Sequence, residues 1–161
     1  MIVVLMGISG SGKTTLGLRL AGDLGWRFID ADDFQSPVAP ASDGADARTP
    51  VPEQHLSSEA LYAEIAGAVS RGENVVLADA ALTVEHRREL RQTFTGLRFV
   101  HLKGNASLLR RRLRNRSGHV LADDALLDQF AVLEEPEDAI AIDIDERPGR
   151  IVERIRSALG I

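Results

Sequence analysis

The sequence predicts an α/β fold in which about five parallel strands are flanked by helices. Two observations carry this. Short runs that are apolar throughout need cover on both faces, as parallel strands between crossover helices do. These runs also alternate along the chain with segments whose apolar residues recur at helical spacing. A third observation narrows the class: the first apolar run ends in a glycine-rich loop that opens directly into a helix.

Taken in order, "IVVLM" (Ile2 to Met6) is the first strand and "TTLGLRLAGDL" (Thr14 to Leu24) the first helix. Strands follow at "RFID" (27–30), "NVVLAD" (74–79), "LRFVHL" (97–102) and "AIAID" (139–143). Between them helices are expected at Ser57 to Ser70, Val84 to Thr93, Ala106 to Asn115, Asp124 to Leu133 and Gly149 to Leu159. Their ends are marked by Asn105 before "ASLLRRRL", by Pro148 near a first turn, and by Gly72 and Gly160 after last turns. Only Ser36 to Pro52 has linker-like composition, which inside a compact domain suits a functional or mobile loop.

The 161 residues fit one domain, 1–161, with no room for two ordinary ones. A net charge of −5 argues against a general nucleic-acid or membrane-surface binder, since both require a basic face. The absence of cysteine excludes a disulfide framework and a cysteine-based zinc site. The apolar start is too short for a signal-peptide core and no run approaches a membrane span, so a cytoplasmic location is the expectation. Only two lysines occur, Lys13 and Lys103, and one of them lies in the glycine loop.

That loop, "GISGSGKT" from Gly7 to Thr14, satisfies G-x-x-x-x-G-K-[ST] between a strand and a helix. Its glycines let backbone N–H groups curl round an anion, and the helix N-terminus adds partial positive charge. Gly7, Ser9, Gly10, Ser11, Gly12, Lys13, Thr14 and Thr15 are the expected nucleotide contacts, which makes ATP the expected cofactor. Lys13 would reach the β and γ phosphates and the Thr14 hydroxyl a Mg²⁺ position. The small size disfavours motors and switch proteins and favours a small acceptor kinase.

A kinase must orient an acceptor hydroxyl and take its proton, at the carboxyl ends of the strands beside the loop. "FIDADD" ends the second strand there. If Asp30 closes the strand, Asp32 lies two residues on with a similar side-chain direction, so Asp30 is the metal candidate and Asp32 the acceptor base. Asp33 is left to solvent or capping. "NVVLAD" likewise ends in an aspartate, so Asp79 is a further candidate for the metal or for the acceptor. In "LLRRRLRNRSGH", Arg112 and Arg116 share a helical face and could close over the phosphates from a lid at about 112–124.

With these motifs in place the chain resembles the gluconate kinase family of small phosphate-loop carbohydrate kinases. The resemblance runs through "VLMGISGSGKTTLG", "FIDADDF", "VVLADAAL…HRRELR", "RFVHLKGN", "LRRRLRNRSGHVLADDALLDQFAVLEEPED" and "AIDIDERP". It implies lid roles on ATP for Arg112 and Arg116, and packing roles for Gln129 and Phe130. It also implies an acceptor-binding loop at about 33–56, with Phe34, Arg48 and Arg87 beside Asp32 and Asp79 as substrate contacts.

The departures fall on the acceptor side. Phe34 is followed by Gln35, Ser36 and Pro37, not by the family's histidine and proline, and the family's D-x-D-R-x-P-W-L motif survives at most as Arg48-Thr49-Pro50. The family's C-S-A-L-K run is Asp79-Ala80-Ala81-Leu82-Thr83 here, while Arg87 and Arg91 keep part of its Y-R-D-x-L-R pattern. Three readings follow. The first is a Mg²⁺- and ATP-dependent kinase for gluconate or a related sugar acid or polyol. The others are a kinase for a different small metabolite and a nucleotide-binding protein that no longer transfers phosphate. A small-molecule acceptor is the expected partner; a homodimer is left open.

Overall fold

The computed structural model describes residues 1–34, 52–114 and 123–161. Five strands, β1 (Ile2–Met6), β2 (Arg27–Asp30), β3 (Val75–Ala78), β4 (Leu97–Lys103) and β5 (Ile140–Asp143), form one sheet in the order β2-β3-β1-β4-β5. Every pairing is parallel. Among the described residues six helices flank them: α1 (Lys13–Leu24), α2 (Pro52–Ser70), α3 (Val84–Thr93), α4 (Ala106–Arg114), α5 (Asp123–Val132) and α6 (Pro148–Leu159).

The sheet is buried on both faces, as the uniformly apolar strands require. Val3, Leu5, Val76, Val100 and Leu102 point to a core completed by α1, α4, α5 and α6. Ile2, Val4, Met6, Val75, Leu77 and Phe99 point to a second core completed by α2 and α3. The alternation along β1 therefore sorts five consecutive apolar residues between two cores.

Chain order runs from central β1 outward to β2 and back to β3, then to β4 on the other flank. That reversal opens a crevice above the carboxyl end of β1, where parallel sheets hold their ligands.

Most element ends match the sequence signals. Asn105 Oδ1 accepts from Leu108 N–H at 2.9 Å and so caps α4. Gly160 ends α6 with a left-handed φ of 72°. The start of α2 differs: it begins at Pro52, not Ser57, inside the stretch expected to be loop. Proline at a first helical position gives up only an N–H that has no partner there, so composition misled the boundary. Among the described residues no helix is long and apolar enough to cross a membrane.

Candidate active site

The phosphate loop sits where the sequence places it, between β1 and α1. Gly7 and Gly10 have φ of 144° and 83°. A Cβ on Gly7 would lie 2.8 Å from Leu102 O, and one on Gly10 would lie 3.0 Å from the Leu113 side chain. Only glycine permits that conformation pressed against β4 and α4. Gly12 forms the left-handed N-cap of α1. Ser11 is fully buried, with its N–H donating to Ile8 O at 3.1 Å. Lys13 Nζ donates to Gly7 O at 2.8 Å, so the lysine folds across the loop it belongs to.

Arg112, on α4, reaches the same loop, donating to Ser11 O at 3.4 Å and to Ile144 O at 2.6 Å. With Gly10, Gly12, Thr15, Leu16, Pro148 and Ile151 it lines a cavity of about 300 Å³. The cavity has one polar end on the loop and an apolar end on α1 and α6, which suits a nucleotide. Arg116 lies outside the described residues, as do Arg48, most of the expected acceptor loop and the middle of the expected lid.

The carboxylates gather at the adjoining strand ends. Asp30, the last residue of β2, is 8% exposed, and its Oδ2 accepts from the Thr14 hydroxyl at 2.7 Å. Its Oδ1 accepts from the Asp32 N–H at 3.1 Å. The chain does not continue extended past Asp30 but turns at once into a 3-10 turn, Ala31–Phe34. Asp32 is thus placed by the turn that Asp30 closes, and the alternation expected for an extended chain does not apply.

Burial pushes the Asp32 carboxyl above its ordinary value, the negative charges of Asp30, Asp79 and Asp33 add to the shift, and Lys13 opposes it. A raised carboxyl takes a proton more readily than an ordinary aspartate, which suits a general base. Phe34 is partly buried against the α2–α3 core, so its visible role is packing.

Thr14 and Asp30 offer one hydroxyl and one carboxylate, hard oxygen donors of the kind Mg²⁺ takes together with phosphate oxygens and waters. The chemistry fits that ion. Among the described residues no group of three or more His, Cys, Asp or Glu could hold a metal by itself, so the ion would be shared with the nucleotide.

Asp79 and Arg87 depart from expectation. Asp79 is 7% exposed, with Oδ1 accepting from Ala81 N–H at 2.8 Å and Oδ2 lying 2.9 Å from His86 Nε2. Both oxygens are engaged by the chain itself, and they fix the β3–α3 loop and the His86 ring. Arg87 is 4% exposed, and its guanidinium donates to Ala81 O, Leu82 O and Glu134 O at 2.8, 3.1 and 2.9 Å. It holds the β3–α3 loop and Ala81, whose φ of 44° is left-handed, so its geometry supports a structural role and not a substrate contact.

Three residues carry more than the sequence reading assigned them. His86, to which the sequence assigns no role, lies with Nε2 2.9 Å from Asp79 Oδ2. Thr83 accepts from His86 N–H at 3.2 Å and caps α3, which the T-x-x-H spacing could have suggested. Gln129, expected only to pack, grips Ser9 with both ends of its amide: Oε1 accepts from Ser9 N–H at 2.8 Å and Nε2 donates to Ser9 Oγ at 2.9 Å. A partner 120 residues away leaves no local signal.

Comparison with known proteins agrees with this geometry. Residues 2–136 match the family model described as an AAA domain. A probable gluconokinase of Xenopus tropicalis is 37% identical over 175 residues, covering 96% of this chain and 91% of the relative. The crystal structure of a sugar kinase from Janibacter sp. HTCC2649 superposes with a TM-score of 0.80 at 30% identity, covering 99% of this chain and 94% of that one. That of a gluconokinase from Sinorhizobium meliloti 1021 gives 0.76 at 29% identity, covering 98% and 90%.

Proposed function

The chain belongs to the gluconokinase family, and from that premise we propose that it transfers the γ-phosphoryl group of ATP to a hydroxyl of gluconate or a closely related sugar acid. The observation that carries the reading is the juxtaposition of Asp32, whose carboxyl is raised above its ordinary value, with the phosphate loop through the Thr14–Asp30 contact.

The acceptor oxygen attacks the γ-phosphorus as its proton passes to the Asp32 carboxylate. The bond from phosphorus to the β–γ bridging oxygen breaks, and ADP leaves with that electron pair. The loop N–H groups and Lys13 hold the β and γ phosphates, and Arg112 supplies positive charge beside the loop, with Arg116 assigned the same task by the family motif. Thr14 and Asp30 would hold Mg²⁺ together with the nucleotide, and the ion would supply neutralisation of charge on the phosphate oxygens. The cytoplasm, where ATP and phosphorylatable metabolites meet, is the compartment this reading assigns.

The test is an ATP-consumption assay with Mg²⁺ against gluconate, other sugar acids, neutral polyols and amino-polyols, with Lys13→Ala as the blank. Turnover of gluconate or a related sugar acid is expected. Turnover confined to neutral or amino acceptors would replace the substrate class, and silence across the panel with ATP still bound would overturn the proposal.

A further inference from the structure

The steps above leave the Asp79–His86 pair unused. Asp79 lies immediately beyond β3, its N–H donating to Leu5 O at 3.1 Å, on the same edge of the sheet as Asp30. Its negative charge is felt by both Asp32 and Tyr62. Three carboxylates therefore share the edge where the acceptor must sit, a poor setting for an anion.

His86 answers that charge. Its imidazole, one third exposed, contacts Asp79 at 2.9 Å and lines a polar cavity of about 500 Å³ between α2 and α3. The groups facing it are Asp79 from the end of β3, Glu89 and Arg87 from α3, and Glu59 and Tyr62 from α2. Arg87 is held on three carbonyls, so the basic side chain in hydrogen-bond contact with Asp79 is His86. The hydrogen bond to Asp79 holds the imidazole above its ordinary pKa, against the effect of burial.

We propose that His86 is the counter-ion of Asp79 and so a specificity-determining residue, cancelling the charge that Asp79 would otherwise set against an anionic acceptor. It acts through Asp79, without touching the acceptor. The proposal rests on the sugar-acid reading above and makes the pair a condition for accepting an acid at all.

The test is steady-state kinetics with gluconate and ATP varied in turn, on wild type, His86→Gln, Asp79→Asn and the double variant. His86→Gln should raise KM for gluconate about tenfold or more while KM for ATP stays within about twofold. Adding Asp79→Asn should bring KM for gluconate back to within about threefold of wild type, a rescue that a merely structural histidine would not show. A double variant as impaired as His86→Gln would overturn the proposal, because the imidazole would then be serving the acceptor directly, and so would an unchanged His86→Gln. If wild type turns over no sugar acid, the proposed function falls on its own account. The pair is then decided by imidazole NMR titration: Asp79→Asn should lower the His86 pKa by about one unit or more, and no change would refute the counter-ion role.

Discussion

The Thr14 hydroxyl donates to Asp30 Oδ2 at 2.7 Å, joining the last residue of the phosphate-loop motif to the last residue of β2. The first turn of α1 is thereby tied to the carboxyl end of β2 at one polar point. Asp30→Asn keeps the shape but loses the charge. It should raise the Mg²⁺ concentration needed for half-maximal activity by about 10–100-fold, the usual effect of weakening a metal site's oxygen shell. Titrating MgCl₂ at fixed ATP reads this directly, and an unchanged requirement would remove Asp30 from the metal site.

Asp32→Asn should lower kcat by about 10²–10⁴, the range for losing a general base, while ATP binding holds. Because the Asp32 carboxyl is raised, wild-type kcat should fall on acidification at a pH above the ordinary aspartate value. Equal losses in kcat and in ATP affinity would count against the assignment.

Gln129→Leu removes both hydrogen bonds to Ser9 and strands a backbone N–H. A loss of about 1–3 kcal/mol in unfolding free energy is expected. KM for ATP should rise with it, since the loop loses its clasp on α5. Urea unfolding alongside ATP titration separates the two effects, and a stability loss with unchanged ATP binding would confine Gln129 to packing.

Two histidines should make stability depend on pH in opposite senses. The His86 pKa is raised by its hydrogen bond to Asp79, so its contribution is complete below the free-histidine value of about 6.5 and is lost as pH rises through the folded value. His101, 3% exposed on β4, is lowered by burial, so its contribution is present above about 6.5 and is lost as pH falls through the folded value. Urea midpoints from about pH 5 to about pH 9 should lose their alkaline decline in Asp79→Asn and keep the acid one. Loss of both slopes together would contradict the separate assignments.

The nucleotide side was legible because its signals are local. The glycines, Lys13 and Thr14 lie within one loop, and a strand before and a helix after complete the motif. Asp30 and Asp32 were legible for the same reason, although the turn that places Asp32 was not. The acceptor side resisted because its partners are distant or ambiguous in type. Arg87 reads in sequence as a cation for an anion, and only burial against Glu134 O and the Ala81 loop shows it serving the backbone. His86 lies seven residues from Asp79, with the loop reversing between them, a relation that no helical or strand period encodes.

The division of the interior into two cores has a practical consequence for redesign. The nucleotide cavity is walled by α1, α4 and α6 on one face of the sheet, while His86 and its neighbours belong to α2 and α3 on the other. The sheet works as a bulkhead between two compartments. Side chains along α2 and α3 can therefore be exchanged without repacking the cavity walled by α1, α4 and α6.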